Sequence, residues 1–94
     1  MSNSNNTQYF KVLGEQQDKV KNILVDVYAS LAKKGYDPVN QMVGYIMSGD
    51  PTYITSYDNS RGKITRIERD EIVEELMKVF VEHYHLNELE KGNR

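Results

Sequence analysis

An all-α fold, a compact bundle of about four to five short and medium helices with a disordered N-terminal tail, is predicted by three features of the sequence. Apolar residues recur every three or four positions in three separate segments. Nowhere do they alternate with the period of two that marks a half-buried strand. Two joints, Gly35-Tyr36-Asp37-Pro38 and Gly49-Asp50-Pro51, set glycine, aspartate and proline in the order that ends one helix and starts another. Short helices placed ahead of a longer one make the centre helix-turn-helix-like.

Each element follows from its residues. Residues 1–14 are polar and rich in Ser and Asn, with only Tyr9, Phe10, Val12 and Leu13 able to dock, so they read as a flexible tail. A first helix over about 16–34 carries Val20, Ile23, Leu24, Val27, Tyr28 and Leu31 on one face. Lys33 and Lys34 suit its C-terminus, and Gly35 suits the left-handed residue beyond it. Val39, Met42, Val43, Ile46 and Met47 make a short apolar helix of about three turns. Residues 52–57 read as a single turn and a loop. A last helix, capped by Asn59 or Ser60, runs to about Tyr84, with Gly62 weakening its start and a break placed between 67 and 71. Residues 15–87 are thus read as one helical domain and 88–94 as a frayed C-terminus.

Composition excludes several functions. With 94 residues the chain has room for one small domain, and a second copy is a plausible source of further core. Twelve basic against fourteen acidic residues give a net charge of −2, which disfavours a general nucleic-acid binder. The absence of cysteine removes disulfides, thiolate metal sites and cysteine nucleophiles. No apolar run approaches the ~20 residues of a membrane helix, and the first residues do not read as a signal peptide, so a cytoplasmic protein is expected.

The residues were weighed for chemistry. Gly44 and Gly49 have the spacing of a phosphate loop, but Asp50 stands where the lysine must be. Glu82-His83-Tyr84-His85 contains a Glu-x-x-His pair without the second set a di-iron bundle needs. Glu68, Asp70, Glu71, Glu74 and Glu75 read as a solvated helix face. Asn5-Asn6-Thr7 matches a glycosylation sequon by chance. No nucleophile–base–orienter set can be assembled, and no catalytic residue, metal or cofactor is expected. Arg61, Lys63, Arg66 and Arg69 open the last helix and could imitate a DNA reader, the alternative function, although acidic residues follow at once.

The segment from Lys34 to Ile54, KGYDPVNQMVGYIMSGDPTYI, resembles the centre of the IreB-type regulatory phosphoproteins, small proteins of low-GC Gram-positive bacteria. The block IERDEIVEEL at 67–76 is similar to that family's C-terminal helix, and DVYASL at 26–31 also fits. The resemblance spans about residues 7–84. It implies a non-enzymatic, helical and dimeric regulator, phosphorylated by a membrane-anchored Ser/Thr kinase with extracellular PASTA repeats and reset by a cognate phosphatase. That pair monitors the cell envelope and tunes resistance to cell-wall antibiotics. The resemblance further implies that Thr7, three residues before Phe10, is a phosphoacceptor, and that Ser4 stands where the family has an earlier threonine.

A phosphate on Thr7 would add about −1.5 to −2 charges to a tail whose sole charged side chain is Lys11. Arg61, Lys63 and Arg66 are candidate docking partners for it, and a change in partner binding is the preferred outcome. The stripe Ile72, Leu76, Val79, Phe80 and His83 is the predicted homodimer surface.

Overall fold

One face of the first helix organises the molecule. In the computed structural model α1 runs Ser2–Lys33, α2 Pro38–Ser48, α3 Ser60–Ile64, α4 Arg69–His83 and α5 Asn87–Gly92. Two single-turn 3₁₀ segments, Pro51–Tyr53 and Tyr57–Asn59, link α2 to α3. The structure describes residues 2–92, with side chains for 14–90. The Ser4 and Thr7 hydroxyls, and the other side chains of residues 1–13, lie outside the described residues, while the backbone from Ser2 is helical, so α1 begins well ahead of the start expected near residue 16. Among the described residues there is no strand.

Val20, Ile23, Leu24, Val27 and Leu31 are buried, as the periodicity predicts, whereas Tyr28 is half exposed. Ile54, Ile64, Ile67 and Ile72 close over this face from the later elements. Each such side chain taken fully out of water contributes roughly 1.5–3 kcal/mol. The core thus draws α1, α3, α4 and the connecting turns onto one surface.

The joints work as their residues suggest. Gly35 takes a φ of 83°, its N–H donates to Ala32 O and the Tyr36 N–H donates to Leu31 O, a Schellman closure of α1. Asp37 Oδ1 accepts from the Asn40 N–H at 3.2 Å to cap α2, with Pro38 opening the helix. Gly49, φ 75°, ends α2 by donating to Tyr45 O. Asp50 Oδ1 then accepts from the Thr52 N–H at 3.0 Å and the Thr52 hydroxyl at 2.7 Å, which holds its carboxyl below the ordinary range. The carboxylate that forbids a phosphate loop is thus a turn cap.

The centre differs from expectation. The helix-turn-helix-like arrangement is not confirmed, because α2 is followed by two 3₁₀ turns and a five-residue helix, too short to lie in a groove. Asp58 and Asn59 both have positive φ, and Asn59 occupies the N-cap of α3 without a side-chain cap bond. Ser60 is buried inside the helix.

The last helix is divided. The Thr65 hydroxyl donates back to Arg61 O at 3.0 Å and Gly62 O at 3.1 Å, and the chain leaves the helix. It restarts when the Glu68 N–H donates to Glu71 Oε1 at 2.9 Å. The break lies at residues 65–68, slightly ahead of its predicted place.

α2 is rotated from its expected face. Tyr45 is the buried residue, Met42 and Ile46 are partly buried, and Val39, Val43 and Met47 are exposed. Its apolar arc runs from Tyr45 through Met42 and Ile46 to Val43 and Met47, opposite Asn40, Gln41 and Ser48, so periodicity alone does not select which edge of the arc turns inward.

Candidate functional site

Three surfaces carry the residues singled out by the sequence. The first is the basic turn. Arg61 Nε donates to Ile54 O at 2.9 Å and so braces the loop before α3. Lys63 Nζ lies 3.7 Å from Asp26 Oδ2 and 3.9 Å from Asp58 Oδ2. Arg69 Nη1 donates to Ile46 O at 3.0 Å, tying α4 to α2. Arg66 is exposed and has no ion pair among the described residues. Lys63 and Arg66 share a shallow cleft with Lys19 of α1, and Glu15, Asp18 and Asp26 line it too. Of the three predicted docking residues, two are therefore brought together and Arg61 is turned elsewhere. The mixed charge of the cleft also lacks the one-signed footprint of a nucleic-acid surface.

The second surface is apolar. A groove of about 500 Å³ between α1, α2 and α4 is lined by Leu24, Val25, Tyr28, Ala29, Val39, Met42, Val43, Ile46 and Leu76. Val25 and Val39 are each about three-fifths exposed at its edges. Along α4, Val79 and Phe80 are half exposed, with the Phe80 ring 4.8 Å from that of Tyr84. Of the predicted interface stripe, Ile72 instead belongs to the core of the single chain. His83 is exposed and meets Tyr84 edge-on at 4.7 Å. Leu76, Val79 and Phe80 of the stripe therefore face outward, and the groove adds Val25, Val39 and Val43 to them.

The third surface is acidic and lies where α4 crosses α1. Gln16 Nε2 donates to Glu71 Oε2 at 2.9 Å, and Lys78 Nζ donates to Gln17 Oε1 at 3.1 Å. These pairs flank a cleft of about 380 Å³ that also takes in Val20, Glu74 and Glu75. Glu75 corrects the reading of a solvated acidic face, since it is only 6% exposed and its Oε2 has no hydrogen-bond partner among the described residues. It sits one turn after Ile72 on the inward side of α4, and that spacing was the available signal.

The Glu71 carboxyl is held below its ordinary value, first by the Glu68 N–H and then by the Gln16 amide. A carboxyl lowered in the folded chain stabilises it above the unfolded pKa, near 4.5 for glutamate, and this is lost as pH falls through the folded value. Acid unfolding followed by circular dichroism should show a stability loss below about pH 4.5 that is shallower in Glu71→Gln. Glutamine still accepts from the Glu68 N–H but does not titrate.

Among the described residues no cluster of three or more His, Asp or Glu side chains can hold a metal ion. No described helix is long and apolar enough to cross a membrane.

Comparison with known proteins adds the family. A family model described as IreB regulatory phosphoprotein matches residues 5–82. A UPF0297 protein of Ruminiclostridium cellulolyticum is 55% identical over 86 residues, covering 92% of this chain and 97% of the relative. A UPF0297 protein of Lachnoclostridium phytofermentans is 54% identical over 84 residues, covering 89% and 96%. One from Acetivibrio thermocellus is 49% identical over 82 residues, covering 87% and 90%.

Proposed function

The chain belongs to the IreB regulatory phosphoprotein family, and from that membership we propose that it is a non-enzymatic cytoplasmic regulator switched by Ser/Thr phosphorylation of its N-terminal segment. The acceptor is Thr7, with Ser4 as a second site. The kinase is of the membrane-anchored PASTA type, opposed by a cognate phosphatase, and the output is the response to cell-envelope stress and cell-wall antibiotics. The observation that carries this reading is the family match across residues 5–82, which includes Thr7.

The physical logic is electrostatic. Residues 1–14 carry Lys11 and no acidic residue. A phosphate changes the charge of such a segment by about −1.5 to −2 at a distance in sequence from the described core residues, the first of which is Val20. A switch in partner binding is favoured over docking on the body, because Asp18 and Asp26 share the cleft of Lys63 and Arg66 and repel a second anion. Arg66 is the guanidinium open to a phosphate that folds back. Backbone chemical shifts recorded before and after phosphorylation of Thr7 should move in residues 2–13 and stay fixed at Lys63 and Arg66. Matching shifts at Lys63 and Arg66 would instead support docking.

A homodimer is the second part of the proposal. The support is the wholly apolar lining of the groove between α1, α2 and α4, an arrangement that water disfavours. A twofold contact through Leu76, Val79 and Phe80, continuing onto Val25, Val39 and Val43, would cover it.

A further inference from the structure

We propose that the acidic cleft between α1 and α4 is a docking point for a basic side chain, an arginine above all, presented by a protein partner. Three carboxylates, Glu71, Glu74 and Glu75, and one ammonium, Lys78, line this cleft from α4, opposite Gln16, Gln17 and Val20 of α1. Two of these four groups already have partners. Glu71 is held by Gln16 and by the Glu68 N–H, and Lys78 is held by Gln17. Glu75 is different: its Oε2 is buried without a partner among the described residues, in a residue that is 94% shielded from solvent. A carboxylate in that position lacks both water and a donor, and it gains most from a cation brought to it.

The cleft selects an organic cation. Its carboxylates do not form a metal-ligating cluster. A guanidinium offers parallel donors that can span two carboxylates, and its aliphatic stem can lie against Val20. Lysine supplies a single point charge and fits less well. Glu75 can turn its buried oxygen toward the newcomer by rotation about the terminal carboxyl torsion, which is broad and shallow. Its lining residues are distinct from those of the apolar groove and of the basic turn.

The test titrates the full-length chain with acetyl-arginine amide, using the neutral acetyl-citrulline amide as a control of the same shape at matched ionic strength. The readouts are the Val20 methyl and Glu75 carboxyl resonances. Saturable shifts centred on these two residues are expected with the arginine amide and not with the citrulline amide. Affinity should fall about tenfold or more in Glu75→Gln and severalfold in Glu74→Gln. Glu74 is exposed, so its variant keeps the fold and decides the matter should Glu75→Gln fail to fold. An equal response to citrulline overturns the proposal. So does unchanged affinity in the folded variants, or a non-saturating response spread over all the carboxylates.

Discussion

Ile72→Ala should lower the free energy of unfolding by about 2–5 kcal/mol, read from urea denaturation followed by circular dichroism. Ile72 is fully buried and packs with Val27, Leu31, Ile54 and Ile64 in one core cluster. Removing its branched end leaves a cavity between helices that are already tied to each other at several points, so the site cannot collapse freely. Small domains have only about 5–15 kcal/mol in hand, which makes this a large fraction of the total. The same substitution should leave the association of folded chains unchanged. A loss below ~1 kcal/mol, or a change in oligomeric state without a change in stability, would return Ile72 to the outer surface.

Leu76→Asp should do the opposite. Leu76 is half exposed and lines the apolar groove four residues after Ile72. A carboxylate there costs the single chain little, because it stays in water. In a twofold contact it would appear twice inside an apolar interface. Desolvating it should weaken the dimer by about a hundredfold or more. Sedimentation equilibrium should then report the mass of one chain, with the helical spectrum retained. A mass of two chains in Leu76→Asp would move the interface away from this groove. The pair of substitutions separates two roles that a single helical stripe runs together.

That stripe shows where the sequence was legible and where it was not. The inward face of α1 could be read because its apolar residues are separated by polar ones, and five of the six predicted positions are buried. The joints could be read because glycine, aspartate and proline each act through their own backbone or nearest neighbours. Harder cases needed tertiary context. On α2 the apolar residues cover a broad arc, and only the packing of α1 and the loop against it selects Tyr45 over Val43. A side chain on Gly44 would run into the Tyr53 ring, a contact no local pattern announces. On α4 the acidic residues look alike in sequence, and burial of Glu75 follows from the way α4 crosses α1 at Val20. The Thr65 back-bonds between α3 and α4 are local, and the break beside them at 65–68 overlaps the expected 67–71.

The candidate sites divide along the same line. Arg61, Lys63 and Arg66 are close in sequence, yet Arg61 braces the loop at Ile54, Lys63 lies near Asp26 and Asp58, and Arg66 stays open. Ser4 and Thr7 were found through the family pattern, because a hydroxyl in a polar segment has no physical signature of its own.

The experiment that bears hardest on a regulatory phosphoprotein is incubation of the full chain with the catalytic domain of a PASTA-type kinase and ATP, followed by mass spectrometry of residues 1–14. A phosphate on Thr7, removed by the cognate phosphatase and missing from Thr7→Ala, is the expected result. A chain that stays unmodified, or that takes phosphate only on body residues such as Thr52 or Thr65, would contradict it.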